Sequence, residues 1–585
     1  MATAVKEMFP DAKLAIGPPI ENGFYYDFDL PRALVPEDLE EIEKLMKKQI
    51  KANDRFETWT KPIDEAIAYW KELDEPYKVE LVEDLAAKGE TEVRFFKNGP
   101  FTDLCAGPHV PRTGNCKAFK LLNVAGAYWR GDSDRPMLQR IYGTAWKNKT
   151  DLNAYLELLE EAKKRDHRKL ARELDLFSFQ KVSPGSVFWH PPGYIIFSEL
   201  KEMSRKFHAD EGYVEISNPV IYNKSIFETS GHWEHYHDHM FKLESEGDTF
   251  CVKPMNCPDT MLFYKRRKHS YRELPLRVSE FQMLHRNELS GTLNGCFRVR
   301  QFTQDDSHIF CTEEQVQSEI SHVLRMIDYV YGLFDLKYEV KLSTRPENFM
   351  GEPELWDVAE ASLRAAIEEN KLPYKVNEGD GAFYGPKIDF DVVDCLGRRW
   401  QCPTIQLDFQ LPRRFELQYT DSDNTAKTPI VIHRAIFGSL ERFIGILIEH
   451  VAGAFPTWLA PVQCVFLPIN DEVAPYCEEA AATLKAAGIR AEVDSRSEKL
   501  GYKIREAELH KRPYMIVVGN KEIESGEFSV RTYRDGDRGK MSLEALRDEI
   551  VEKITNRTFD VDLKTIEWSE EDVEGDDVNF GMDGY

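Results

Sequence analysis

Apolar positions along the chain change period several times, and each change marks an element or a boundary. Residues 37–52 carry them at helical spacing. So does a charged, proline-free stretch from Leu152 to Leu174, which predicts one long linking helix. Between residues 176 and about 457 come strand-like runs rich in aromatic and β-branched residues: "YVEISNPVIY", "FRVRQFTQ", "KIDFDVVD", "IQLDFQL" and "TPIVIHRAIF". Their order predicts a mostly antiparallel sheet with helices on it. Past "PTWLAPVQ" the strands "QCVFLPI", "RAEVD", "YMIVVG" and "EFSVRTYR" alternate with helices predicted over 472–487 and 503–511, the pattern of a small α/β domain. Residues 1–147 mix short strands with helices as α+β. From Phe559 onward the chain is acidic, with Lys564 its only base, and is expected to be disordered. The predicted organisation is thus 1–147, a linking helix over 148–175, 176–460, 461–556 and a tail over 557–585.

One stretch breaks the apolar/polar pattern. In "FRVRQFTQDDSHIF", an extended backbone puts Arg298, Arg300, Phe302, Gln304, Asp306 and His308 on one face, with Asp305 and Ser307 on the other. A guanidinium, an amide, a carboxylate and an imidazole on one side of a strand describe a polar site rather than a packed core.

Composition narrows the class. The 585 residues are 42% hydrophobic and 30% charged, enough for several cores and for three to five domains. A net charge of −25 opposes nonspecific binding to nucleic acid or anionic membrane. Local basic patches remain, at Lys265-Arg266-Arg267-Lys268 and from Lys163 to Lys169. No apolar run approaches a membrane span, and the first residues do not resemble a signal peptide. Ten scattered cysteines without a C-x-x-C pair point to reduced thiols in a cytoplasm.

Two kinds of chemistry stand out. In "LHRNELSG", Arg286 and Glu288 are two apart, hence on one face if the segment is a strand, and "FRVRQF" returns antiparallel to it. "HRAIFGSLERFIG" predicts strand, glycine turn and helix, with Arg442 in the helix's first turns. Such arginines suit phosphate or carboxylate, which a guanidinium grips with two parallel hydrogen bonds. Cys257, His308 and His433 make a one-Cys, two-His donor set of the kind zinc takes with one position left open. Spacing alone does not select these three among 10 Cys and 15 His. The more conspicuous "HWEHYHDHM" reads as a solvated loop.

These motifs together resemble a known family. "SNP" with Pro219, "HRNE" and "FGSLERF" resemble motifs 1, 2 and 3 of class II aminoacyl-tRNA synthetases. "KPMNCP", "RVRQFTQDDSHIF", "STRPE", "GAFYGPKIDF" and "QCPTIQLDF" resemble threonyl-tRNA synthetases, and "IGPPIENGFYYDFDL" and "AGAYWRGDSDRPMLQRIYGTAW" resemble their editing domain. The resemblance runs from Ala4 to about Asn556. It implies a class II antiparallel core, an α+β editing-like domain and an α/β anticodon-binding domain. It implies ATP with Mg²⁺, L-threonine and tRNA(Thr) as partners, one zinc ion per chain on Cys257, His308 and His433, and a homodimer. By the same resemblance Asp306 accepts the threonine hydroxyl and Gln304 lines its pocket. Arg286 meets the α-phosphate and the amino-acid carboxylate, Glu288 lies near adenine, and Arg442 meets the γ-phosphate. Tyr384, Lys387, Gln401 and Gln406 match further active-site positions. In the C-terminal domain, Lys503, Arg505 and Arg531 are candidate tRNA contacts.

The chain also departs from its family. The editing site there uses an H-x-x-x-H pair followed by a Cys and a His. Cys105 and His109 in "DLCAGPHVP" match the second pair, whereas Thr3 stands at about the second His of the first. A frayed leading helix and impaired editing of seryl-tRNA are therefore expected of this polypeptide. Thr260 also stands where many members have His. Two other classes compete. A tRNA-binding paralogue without synthetase activity usually loses the motif arginines, and Arg286 and Arg442 are present. A metallohydrolase needs a general base beside its metal, as in H-E-x-x-H, and that motif is absent.

Overall fold

The computed structural model describes residues 1–20, 22–132 and 134–563. The chain forms two compact units, residues 1–161 and a second that begins at Ala162. Among the described residues no helix is long and apolar enough to cross a membrane. All ten cysteines are free.

The first unit is α+β. Strands Gly23–Asp29, Met137–Trp146 and Ala118–Tyr128 pair antiparallel in that order, and helix Pro36–Ala52 packs Ile42 and Met46 into the core beside them. Pro36 opens that helix and Asp38 accepts the Val35 N–H at 2.9 Å. Asn53, at φ 55°, closes it. The leading helix Ala2–Met8 is not frayed: Ala4 and Val5 are fully buried in the same core. A second sheet, Phe56–Pro62, Glu92–Asn98 and Phe101–Leu104, ends directly before Cys105.

The predicted single linking helix is two helices, Lys149–Arg165 and His167–Glu173. Asp166 divides them because its carboxylate accepts the N–H groups of Arg168, at 2.8 Å, and Lys169, at 3.3 Å. An aspartate that caps a new helix ends the previous one, and apolar periodicity carries no sign of it.

In the second unit an eight-stranded sheet runs Val214–Glu215, Leu276–Glu280, Asp306–Cys311, Ile430–Ala435, Arg399–Asp408, Lys387–Val393, Lys337–Ser343, Tyr374–Asn377. All neighbours are antiparallel except at the two edges. One face is apolar: Ile309, Cys311, Ile388, Phe390, Ile405, Leu407, Ile430 and Ile432 join a core shared with helices Val316–Gly332, Pro353–Glu369 and Leu440–His450. That leaves the other face for chemistry.

Beyond residue 460 a five-stranded sheet runs Ala491–Val493, Cys464–Pro468, Tyr514–Val518, Glu527–Thr532, Gly536–Ser542. The first three strands are parallel and the last two antiparallel. Helices Ala474–Ala486 and Leu500–Leu509 lie between its strands in sequence, close to the predicted spans. Lys503 is not a surface contact. It is buried, and its ammonium donates to the carbonyls of Pro468 at 3.1 Å and Asp494 at 2.9 Å. Arg505 is exposed, and Arg531 is half-buried, 4.0 Å from Asp537.

The start of the acidic tail is ordered, against expectation. Phe559 and Val561 pack on the large core. Asp560 accepts the Thr457 N–H at 2.9 Å and hydroxyl at 2.7 Å and pairs with Arg534 at 2.9 Å and Lys553 at 3.1 Å. Low hydrophobicity signals disorder only where no partner waits for the charge. The rest of the tail, 564–585, lies outside the described residues.

Candidate active site

Strand register gathers the predicted residues. Lys387 stands opposite Gln406, Gln406 opposite His433, and His433 opposite His308. Directly opposed residues of antiparallel strands share a face, so these four form one row across four strands. Asp306 and Asp408, two residues along their strands from His308 and Gln406, lie on that face as well. Glu280 is opposite Asp306. The row explains why apolar alternation fails in "TQDDSHIF".

Cys257 reaches the row from the first turn of helix Cys257–Lys265. Its sulfur and one nitrogen each of His308 and His433 lie within 4.8 Å of one another, and all three residues are buried. His433 turns Nε2 to Asp408 Oδ2 at 2.8 Å. His433 Nδ1 and His308 Nε2 are buried without a hydrogen-bond partner. Two orphaned imidazole nitrogens beside a thiol, with one ring oriented by a carboxylate, fit a three-ligand zinc site. Tyr384 is buried alongside, its hydroxyl 3.7 Å from the Cys257 sulfur.

Asp306 and Asp305 separate as the period-two reading requires. Asp306 accepts from Asn256 Nδ2 at 3.0 Å. Asp305 turns to the opposite side, where the backbone N–H groups of Ile436 and Phe437 bind it at 2.9 and 3.0 Å. The strand itself is broken, with pairing over Gln301–Thr303 and Asp306–Cys311, and Gln304 makes a lone bridge to Ser439 between them. Beneath Asn256 lies a buried polar knot. Lys253 donates to Asp259 at 2.7 Å and Glu280 at 3.0 Å, and Asp259 also accepts from Tyr222 at 3.0 Å. Burial and then the Asp259 charge push the Glu280 carboxyl upward. Thr260, in the same turn, donates to the Asn256 carbonyl at 3.0 Å. Sequence reasoning missed Asn256, Asp408 and Lys253. Only the pairing that places them beside predicted residues identifies them.

The arginines form a second cluster. Strand Ile430–Ala435 turns at Gly438, with φ 72° and Cys402 O only 2.8 Å from where a Cβ would stand. Ser439 then caps helix Leu440–His450 by accepting the Arg442 N–H at 3.1 Å, which puts Arg442 in the first turn as predicted. Its Nε donates to Phe297 O and its Nη1 to Gln401 O, each at 2.9 Å. Gln401 thus contributes a carbonyl here, while its side chain is exposed. The hairpin Met283–His285 with Gln301–Thr303 forms, but its strand ends before Arg286. Arg286 and Glu288 therefore do not share a strand face. The Arg286 guanidinium lies 5.0 Å over the Phe302 ring, and Glu288 pairs with Arg298 at 3.4 Å. Burial lowers the Arg442 guanidinium from its ordinary value. The charges of Arg286 and Arg298 lower it further, against Cys402 and Glu288. Arg442 thus lies within electrostatic reach of Arg286 and Arg298, and guanidiniums gathered in this way suit a polyanion.

Residues 241–451 match the family described as tRNA synthetase class II core domain (G, H, P, S and T). Residues 463–553 match the anticodon binding domain, and 93–142 the threonyl and alanyl tRNA synthetase second additional domain. A threonine–tRNA ligase of Caldanaerobacter subterraneus subsp. tengcongensis is 54% identical over 559 residues, 96% of this chain and 86% of the relative. The chain belongs to the threonine–tRNA ligase family. Two solved structures agree. One is the RNA-binding domain of a threonyl-tRNA synthetase from Cryptosporidium parvum Iowa II, with a TM-score of 0.65 and 39% identity over 67% of this chain and 98% of that one. The other, a putative threonyl-tRNA synthetase from Aeropyrum pernix, has a TM-score of 0.59 and 32% identity over 68% of this chain and 98% of that one.

Other residues of this threonine–tRNA ligase family member fall outside that centre. "HWEHYHDHM" is not a loop but a helix, His232–Tyr236, followed by a tight turn. His232 is fully buried, bonded to Ser230 Oγ at 2.9 Å, and burial followed by the His433 charge lowers it to about 3. In the first unit, the His109 ring stacks on Phe56 at 5.0 Å and meets the Phe96 edge at 4.3 Å. The Cys105 sulfur accepts the Gly107 N–H at 3.3 Å. Among the described residues no group of three metal-type donors includes Cys105 or His109.

Proposed function

We propose that this chain condenses L-threonine with ATP to a threonyl-adenylate and passes the threonyl group to tRNA(Thr). The observation that carries the reading is the cross-strand row. It sets a one-Cys, two-His donor group and Asp306 on one face of an antiparallel sheet, whose strand Ile430–Ala435 leads into the helix that carries Arg442. Threonine-dependent exchange of pyrophosphate into ATP tests it, and exchange equally supported by valine would refute it.

The threonine carboxylate attacks the α-phosphorus of ATP, and pyrophosphate leaves. Arg286 takes the α-phosphate and carboxylate, Arg442 takes the γ-phosphate, and Mg²⁺ accompanies the nucleotide. Glu288 stands toward the adenine. Lys387, Gln401, Gln406, Tyr384 and Gln304 complete the walls. Zinc on Cys257, His308 and His433 supplies, when bound, a ligand position that a substrate hydroxyl can fill and valine cannot. The terminal ribose hydroxyl of the tRNA then attacks the adenylate, and no protein nucleophile is needed. Arg505 and Arg531 of the domain over 461–556 are the remaining candidates for tRNA contact. A homodimer through the motif 1 region and a cytoplasmic location complete the proposal. The ten free thiols fit a reducing compartment.

Asp306→Ala removes the proposed acceptor of the substrate hydroxyl. We expect kcat/KM for threonine to fall about 10- to 100-fold, the worth of one hydrogen bond to a charged group, with the KM for ATP little changed. An unaltered kcat/KM for threonine would rule Asp306 out. Asp305→Ala, by contrast, strips the acceptor from two buried backbone N–H groups and should lower the melting temperature.

Serine satisfies the same hydroxyl contacts and lacks one methyl, a difference worth about 10- to 200-fold in selection. Misacylated seryl-tRNA must therefore be cleared elsewhere. The editing-like unit offers Cys105 and His109, and neither belongs to a group of three metal-type donors among the described residues. The 585-residue polypeptide is expected to deacylate preformed seryl-tRNA at close to the uncatalysed rate. Rapid clearance, lost in Cys105→Ala, would show that these two residues suffice.

A further inference from the structure

Besides the site row, one other group of three metal-type donors occurs among the described residues: Asp166, His167 and Glu449. Its hydrogen bonds leave nothing for an ion. His167 Nε2 lies 3.0 Å from the Cys296 backbone N–H, a donor, so Nε2 carries the lone pair. The ring proton is therefore on Nδ1, which donates to Glu449 Oε1 at 2.6 Å. The same oxygen accepts the His167 backbone N–H at 2.9 Å, and the other Glu449 oxygen takes Arg398. Asp166 is engaged as a helix cap. His167 is 1% exposed, so neither substrate nor solvent reaches it.

What the imidazole touches is more telling. Gly295, at φ 48°, has no room for a side chain: a Cβ there would stand 2.1 Å from His167 Nε2. The Phe297 ring lies 4.2 Å from the imidazole and 4.0 Å from the Trp400 ring. The carbonyl of Phe297, and that of Gln401 next to Trp400, are the two acceptors that hold the Arg442 guanidinium. Glu449 rides on the same helix as Arg442. His167 thus ties the helix that carries Arg442 to the segment whose carbonyl aims it.

We infer that His167 is a positioning residue for Arg442. Its two ring hydrogen bonds fix the Gly295–Phe297 segment against helix Leu440–His450, so that Arg442 meets the ATP phosphates already oriented. The inference deepens the phosphate-binding role proposed above for Arg442 and stands on it. It also gives the short helix His167–Glu173 a task in the active site through a residue that is itself buried.

The test is threonine-dependent ATP–pyrophosphate exchange by the full chain carrying His167→Phe, His167→Gln or Arg442→Ala. Phe fills the ring's volume and deletes both hydrogen bonds. Gln offers a donor and an acceptor on one side chain. We expect His167→Phe to raise the KM for ATP about tenfold, roughly the worth of one such bond, with the KM for threonine within about twofold of the parent. His167→Gln should recover most of that loss. An unchanged KM for ATP in a folded His167→Phe protein would overturn the inference, as would equal rises in both KM values. Loss of a cooperative melt in both His167 variants would also overturn it, since the residue would then serve folding alone. If Arg442→Ala exchanges normally, the role of Arg442 itself is wrong. If only Arg442→Ala is impaired, Arg442 stands and His167 does not position it.

Discussion

His308→Ala should purify as a folded protein with no zinc bound and with threonine-dependent pyrophosphate exchange reduced by at least about 10³-fold, as befits a pocket built around a substrate hydroxyl. The metal group is assembled from three segments far apart in sequence. Cys257 comes from a helix start, His308 and His433 from neighbouring strands. Two remaining donors do not make a tight zinc site, so one substitution empties it. The sheet should survive, because backbone pairing of Asp306–Cys311 with strands on both sides is independent of the imidazole. Metal per chain, circular dichroism and exchange are the three readouts. A metal-free His308→Ala protein with full activity would remove zinc from the mechanism.

Arg442→Ala should leave the melting temperature within a few degrees and depress exchange by about 10²–10³-fold, the loss typical of removing one pre-aimed donor from developing charge. The guanidinium is held by two backbone carbonyls, which, on the proposed role, orients it before ATP arrives. Arg442→Lys should recover little, because an ammonium cannot keep both carbonyls and still face a phosphate with two parallel donors. The measurement is KM for ATP and kcat in exchange, with the KM for threonine as the internal control. A lysine variant with parental kinetics would show that charge alone matters.

Several features were legible from residues alone because they depend on local order. Period-two alternation placed Asp306 with His308 and apart from Asp305, and the structure keeps that phase even though pairing lapses at Gln304. "HRAIFGSLERFIG" foretold strand, glycine turn and helix, since Gly438 and the cap that the structure shows at Ser439 act within a few bonds of where they stand. The two-residue spacing of Arg286 and Glu288 misled, because nothing local signals that the strand ends at His285. Lys503 misled in the opposite sense. A lysine on a predicted helix reads as solvent-facing until the carbonyls of Pro468 and Asp494 are found around its ammonium.

The family and the candidate donors and arginines were readable before any fold was known, because each rests on residue identity and short-range period. Spacing alone did not select among the 10 cysteines and 15 histidines; the resemblance named three, and folding brings those three together. That convergence is made by register: Lys387, Gln406, His433 and His308 stand in one row only because four strands pair as they do. A one-residue slip in any of those pairings would send a side chain to the opposite face. The burial of His232 and the anchoring of Asp560 are of the same kind. Each depends on partners that long-range folding brings within about 3 Å, a hydrogen-bonding distance, and no property of the neighbouring residues foretells them.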